Sequence, residues 1–308
     1  MYLNAPFKLK LLSSKIGKVI KGEKLMKQIL AIFIFIISIN TYSNVRVMTF
    51  NTTCSYLCEK GNFDKFKYRK NWIVDTVKRA NPDLIGFQEV FTSRQLNWFK
   101  KELKDYHLMY FRKYYIFRFA DPALFVKKSR FSINKWGGFW LGPRGYRFSL
   151  GWKKRLPRRL QWARLLDNKT GKQFYFASSH FDNDKKNKTP SAKVFTDAFK
   201  DVNYPVIFAA DTNLKPEMEG YKHINQTYYD SYDITEKFEM VKNSNTNEDD
   251  SCNLEKGKTF PSCRVDHIFL SKKHNWRVHN WAVDQFKYGK NNRFTSDHRA
   301  LYADIEFL

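Results

Sequence analysis

Pro82-Asp83-Leu84-Ile85-Gly86-Phe87-Gln88-Glu89 is the stretch from which the fold is read. Apolar residues at helical spacing (Phe66, Ile73, Val77) mark Phe63 to Ala80 as a helix, which Asn81-Pro82 stops. The apolar run that follows is too short for a helix and reads as a buried strand, Leu84 to Gln88, with the carboxylate of Glu89 at its carboxyl end. Glu is seldom buried, and a solvated strand end is its commoner fate. Its place directly behind a buried strand favours a site instead. The pattern recurs: Asn51 ends Val45 to Phe50, His180 follows Gln173 to Ser178, and Asp211 ends Val206 to Ala210. Asp266 lies within Arg264 to Leu270, and His298 precedes Arg299 to Phe307. Polar side chains gathered at strand ends usually mark a site.

The remaining elements are helices over Gln95 to Leu103 and Ser191 to Lys200, and strands around Tyr106 to Phe111, Leu124 to Lys127, Gly138 to Leu141 and Trp281 to Phe286. Leu160 to Leu166 and Gln173 to Ser178 form a hairpin turning at Asn168 and Gly171. No internal repeat or interdomain linker stands out, so one catalytic domain is expected.

The 308 residues are 43% hydrophobic, enough for a sizeable core, and 17% aromatic, which argues against disorder. The formal charge of +25 calls for a polyanionic partner, either nucleic acid or an anionic membrane surface. The alternative is a Lys-rich surface without a partner. From Met26, the order Lys27, apolar Ile29 to Ile39 and small Thr41 and Ser43 matches the three zones of a secretory signal peptide. We therefore expect translation to start at Met26, cleavage after Ser43, a mature domain over 44–308 and a secreted or periplasmic location. The seven Lys and one Glu ahead of Asn44 carry +6 of the +25, leaving +19. Cys54, Cys58, Cys252 and Cys263 suit two disulfides in an oxidising compartment; Cys54/Cys58 with Cys252/Cys263 is the favoured pairing of three, and zinc binding the disfavoured reading.

Six segments taken in order carry a resemblance. They are Val45 to Asn51, Pro82 to Glu89, Ser178-Ser179-His180-Phe181-Asp182, Ala210-Asp211-Thr212-Asn213, Val265-Asp266-His267-Ile268-Phe269 and Ser296-Asp297-His298. Together, across Val45 to Phe307, the chain resembles the endonuclease/exonuclease/phosphatase (deoxyribonuclease I-like) superfamily. The resemblance implies an α+β fold, a four-layered α/β sandwich of two packed, mainly antiparallel β-sheets flanked by helices.

It further implies a phosphoesterase dependent on Mg²⁺ or Mn²⁺, with Ca²⁺ as a candidate structural ion. Glu89 takes the principal metal contact with Asn51 beside it, and Asp297 lies near the metal or caps the turn at Ser296. Asp266 and His298 form a general-base dyad, Asp211 orients the attacking water, and Asn213 and His180 donate to phosphate oxygens. Phosphoester hydrolysis needs these parts: a cation, a base and donors around the transition state. Taken alone, His180 is more often a satisfied buried histidine. Arg158, entering the strand that pairs with the His180 strand, is the candidate phosphate ligand, and Arg159 is its competitor. The segment from Gly138-Phe139-Trp140-Leu141 to Trp162-Ala163-Arg164 also resembles a subgroup, its aromatics read as core rather than stacking platforms. Two positions depart from the family pattern. Many members carry a Glu bracing the histidine that corresponds to His180; here Arg118-Phe119-Ala120-Asp121 stands in that place, and Asp121 either substitutes or the brace is missing. Thr53 stands where abasic-site endonucleases carry an Asp.

For substrate, a nucleic acid is expected, with a monomeric enzyme and transient contact with anionic membranes. A lipid phosphodiesterase or an inositol phosphate phosphatase, with Tyr114-Tyr115-Ile116-Phe117 as a membrane anchor, is the alternative. A binding protein that has lost catalysis is disfavoured by the complete set of site residues.

Overall fold

Strand β1 (Val45–Asn51) is flanked by β2 (Leu84–Gln88), which runs parallel to it, and β13 (Leu301–Phe307), which runs antiparallel. The protein is described here by a computed structural model in which residues 44–55, 65–110, 121–144, 147–153, 156–239 and 264–308 are described. The expected signal peptide, Cys58, Cys252, Cys263 and Tyr114 to Phe117 lie outside them. Cys54 is disulfide-bonded, and its partner also lies outside them.

Around β1 a seven-stranded sheet takes the order β10-β12-β13-β1-β2-β4-β3. Its other strands are β3 (Tyr106–Met109), β4 (Ala123–Lys127), β10 (Phe238–Glu239) and β12 (Trp276–Val283). A six-stranded sheet comprises β5 (Phe131–Leu141), β6 (Arg158–Asp167), β7 (Gln173–Ser179), β8 (Val206–Asp211), β11 (Asp266–Ser271) and β9 (Tyr228–Asp230), in that spatial order. Most neighbours are antiparallel; β1/β2, β10/β12 and β7/β8 are parallel.

Alternation along β1 explains the layering. Val45 and Val47 enter the core between the sheets with Phe174, Phe176, Ile207 and Ala209. Met48 and Phe50 point the other way, into a core shared with Ile73 and Val77 of α1 (Phe66–Ala80) and Phe99 of α2 (Ser93–Glu102). On the far side, α3 (Lys185–Phe199) and α4 (Glu219–Thr227) bring Phe195 and Ile224 onto Phe208 and Phe269. Each such buried side chain contributes roughly 1.5–3 kcal/mol. The result is the expected four-layered sandwich.

Several boundaries differ from expectation, each for a local reason. Helix α2 begins at Ser93 because Thr92 and Gln95 form a capping box. Helix α3 begins at Lys185 rather than Ser191 because Asp184 caps it and Pro190 lies within it. Strand β5 starts at Phe131 rather than Gly138, its first half being an exposed sheet edge with polar Ser132, Asn134 and Lys135. A bulge between Val278 and Asn280 breaks the alternation of β12. The short elements α4, β9 and β10 were not expected at all.

The sheets approach most closely beside the site. A Cβ on Gly86 would lie 2.5 Å from Ser178 Oγ and 2.9 Å from the Ala209 carbonyl, so only glycine fits there. Two residues on, Gln88 Nε2 donates to Ser178 Oγ at 3.0 Å, tying β2 to β7 across the interface.

Candidate active site

Because the sheets close on each other at Gly86, the strand ends beyond it meet. Asn51 ends β1 in the first sheet, and Asp211 ends β8 in the second. Asn51 Nδ2 donates to Asp211 Oδ2 at 2.9 Å and to Glu89 Oε1 at 3.0 Å, so one amide joins two carboxylates from opposite sheets. Glu89 is held further by the Cys54 amide, which donates to Oε2 at 2.6 Å.

Each site histidine is oriented through Nδ1 by a buried carboxylate. Asp266 Oδ2 stands 2.8 Å from His298 Nδ1, and Asp121 Oδ2 stands 3.1 Å from His180 Nδ1. The brace for His180 is therefore present, supplied by Asp121 from the loop before β4. Asp121 Oδ1 in turn accepts from the Glu89 amide at 3.0 Å. The Nε2 atoms converge on Asp211 Oδ2, at 3.4 Å from His180 and 3.8 Å from His298.

These distances fix the charge pattern. Burial alone would raise the Asp211 pKa, but His298, His180 and the Asn51 hydrogen bond hold it below the usual carboxylate value. Burial would likewise raise Asp121, and His180 keeps it low. For His298, burial works toward the neutral ring, yet Asp266 and Asp211 lift it well above the ordinary histidine value. His180 is raised too, with Asp121 and Asp211 outweighing burial and Arg158. The surrounding carboxylates thus favour the imidazolium form of both rings around an ionised Asp211.

Asn213 closes the other side. Its amide donates to Asp211 Oδ1 at 3.0 Å, and one side-chain N–H is committed to the Phe181 carbonyl at 2.9 Å. Thr53, Glu89 and Asn213 all adopt left-handed backbone, φ +55°, +64° and +52°. That conformation is costly for β-branched Thr and uncommon for Glu, and such strain gathers at functional sites. Asp297 is exposed; its Oδ1 accepts from Thr53 Oγ1, and Ser296 Oγ donates to the Asn51 carbonyl at 2.7 Å. The Ser296-Asp297-His298 loop is thereby pinned to the end of β1. Arg158 lies 3.5 Å from Asp121 Oδ2, while Arg159 is turned inward over the Trp140 ring. Phe139 and Trp140 are buried, as core aromatics should be.

Arg69 and Lys188 were not singled out in the sequence. Buried Arg69 donates to the carbonyls of Thr52 and Thr295, both at 2.8 Å, and of Thr53 at 3.2 Å, joining the two loops beside the site. Its signal was legible: a basic residue on the apolar face of α1, between Phe66 and Ile73. Lys188 Nζ donates to the Asn213 carbonyl at 2.6 Å, and burial lowers its pKa. Nothing separates it from the neighbouring run of lysines in the sequence.

Asp211, Asp266 and His298 bring ligand atoms within 4.8 Å of one another, a group that could hold a metal ion. The Glu89/Asn51 side also fits a hard divalent cation: two carboxylates converge on the one Asn51 nitrogen, the donors are oxygen-rich, and Glu89 is only partly buried.

Neither a protein-family model nor a curated protein matches this sequence. Solved structures do. An endonuclease/exonuclease/phosphatase family protein from Bacteroides thetaiotaomicron is 25% identical, with a TM-score of 0.75 over 86% of this chain and 98% of its own. The chain belongs to the endonuclease/exonuclease/phosphatase superfamily. A mannosyl-6-phosphatase of the same organism is also 25% identical, TM-score 0.73, over 85% of this chain and 100% of its own. D. rerio TDP2, complexed with a single-strand DNA product, shares the fold at 20% identity, TM-score 0.65, over 86% of this chain and 99% of its own. This chain thus has the superfamily's phosphoesterase fold, with the six motif residues at the meeting point of its two sheets.

Proposed function

We propose that this superfamily member hydrolyses phosphodiester bonds of nucleic acid with Mg²⁺ or Mn²⁺. The observation that carries the chemistry is the convergence of His180 and His298, each oriented by its own buried carboxylate, on Asp211. A divalent cation held by Glu89 and Asn51 would neutralise charge on the phosphate and its leaving oxygen.

The chain's own groups supply the rest. The Asp211 carboxylate, kept ionised by its cationic neighbours, orients the attacking water and accepts its proton as the new P–O bond forms and the ester P–O bond breaks. The imidazolium rings of His298 and His180 donate hydrogen bonds to the non-bridging oxygens, where charge accumulates. Asp266 and Asp121 act through the rings, fixing their orientation and protonation. Because its neighbours favour the protonated His298 ring, our reading gives the base role to Asp211 in place of the expected His298/Asp266 dyad.

Support for a nucleic-acid substrate comes from the charge of +19 on residues 44–308. A phosphomonoester substrate is the second reading, favoured by the similarity to a mannosyl-6-phosphatase. Purified protein with Mg²⁺ or Mn²⁺, given plasmid DNA, RNA and sugar phosphates side by side, separates the two. Cleavage of DNA or RNA that falls steeply with salt supports the first; release of phosphate from sugar phosphates alone sinks it.

A further inference from the structure

The geometry points to the cleft between α1 and α2 as a subsite for a second, non-scissile phosphate of the substrate, the neighbouring phosphodiester of a polynucleotide. It rests on the nuclease reading, since a chain of phosphates is what presents a second anion to an enzyme acting on the first.

The cleft has a volume of about 630 Å³ and gathers Lys65, Lys67, Lys70, Arg94 and Lys101 around Trp98. None of these five cations has an ion-pair partner among the described residues. Several guanidinium groups elsewhere are neutralised: Arg46 with Asp304, Arg79 with Asp284 and Arg130 with Asp83 and Asp167. A solvated basic face is the ordinary explanation for a lysine cluster, but such a face spreads its charges over a convex surface. Here they line a concave space. Lys70 is half-buried, its ammonium 3.7 Å above the Trp98 ring, so it is a positioned charge rather than a free one.

The cleft is also linked to the catalytic site through its lining. Ser55 and Thr92 are among the residues that line it. Ser55 follows Cys54, whose amide holds Glu89 Oε2, and its hydroxyl donates to Gln95 Oε1 at 3.0 Å. Gln95 Nε2 reaches the Glu89 carbonyl at 3.4 Å. Thr92 is the N-cap of α2, so the positive end of that helix adds to the field in the cleft. One wall of the cleft is therefore tied to the proposed metal ligand through Ser55 and Gln95, the side on which a phosphate neighbouring the scissile one would enter.

The test compares the double variant Lys70→Gln/Arg94→Gln with a control of equal charge loss, Lys135→Gln/Lys169→Gln, at two exposed lysines outside the cleft. Binding of a labelled single-stranded oligonucleotide is measured by anisotropy in EDTA across a salt series, and melting temperatures confirm that each variant is folded. The cleft variant should bind about tenfold more weakly than wild type, with a salt slope smaller by about 0.7 for one lost phosphate contact on a single strand. The control should stay within about twofold. Equal affinity and slope for both variants would overturn the subsite, and the nuclease reading would stand if wild-type protein still cut the oligonucleotide. If wild type bound the oligonucleotide through this cleft but cleaved only sugar phosphates, the nuclease reading would fail and the anion subsite would stand. An oligonucleotide that does not bind wild-type protein would overturn both.

Discussion

Two histidines that both face Asp211 divide the chemistry by charge, not by residue type. Asp211 stays ionised to below its ordinary value of 3.8, and His298 stays protonated to well above 6.5, so the protonation pattern of the site spans neutrality. The rate should then be flat through pH 6.5 and fall only on the alkaline side, as His298 loses its proton. Replacing Asp266 by Asn removes the carboxylate that raises His298, and the alkaline fall should move to lower pH, together with a loss in kcat of roughly 10²–10⁴. A pH–rate profile of kcat for both proteins checks this; an acid limb near 6.5 in the wild type would make His298 the base instead. Glu89 offers a test that does not need turnover. Mg²⁺ or Mn²⁺ at a concentration about 100 times the dissociation constant should stabilise the wild type by about 2.7 kcal/mol, and Glu89→Gln should lose most of that shift in a thermal melt. A melt of the variant that rises as much as the wild type would move the ion to the Asp211, Asp266 and His298 group.

At the scale of elements, the site depends on how closely β2 meets β7. Gly86 has no room for a methyl group against Ser178 and the Ala209 carbonyl, so Gly86→Ala should cost about 1–3 kcal/mol by overpacking and lower kcat by parting Asn51 from Asp211. Urea denaturation and steady-state kinetics on one preparation measure both. Arg69→Met keeps the volume but unties the β1 and Thr295 loops; three carbonyls lose a charged donor, and we expect a loss of activity larger than its loss of stability. Elements such as these also show what a sequence displays. Strands β1, β2 and β8 were legible because both of their faces are covered, which forces continuous apolar runs such as Val206 to Ala210. The site was legible for the same reason, since a polar residue at the end of such a run stands out. Edge strand β5 and bulged β12 hid their first halves, one behind solvent-facing polar residues and the other behind a broken alternation. The brace at Asp121 was legible only as a candidate, because it sits in a loop whose path no periodicity encodes.

Across the whole molecule, the same charges that serve the site also join the two sheets, and this coupling gives stability a pH dependence with a definite sign. Asp121, Asp211 and Asp230 are depressed in the fold, Asp230 by Arg264 and His267 against its own burial. Their contribution is fully present above the unfolded value of about 3.8 and is lost as pH falls through the lower folded values. His180 and His298 are raised, so theirs is fully present below 6.5 and is lost as pH rises through the higher folded values. His274 shifts the other way, through burial and Lys273, and as a single half-buried ring it offsets only part of the contribution of the two raised histidines. In EDTA, where no divalent ion competes for the carboxylates, thermal stability should therefore peak between about pH 4 and 6.5 and decline through the alkaline range. His298→Asn should flatten that decline, because the ring that must surrender a bound proton is gone, and should also weaken the acid-side dependence, because Asp211 loses the neighbour that most depresses it. Melts of both proteins from acid to alkaline pH decide it: a wild-type curve that keeps rising above pH 6.5 would mean that the imidazolium rings are not what holds the carboxylates of the two sheets together.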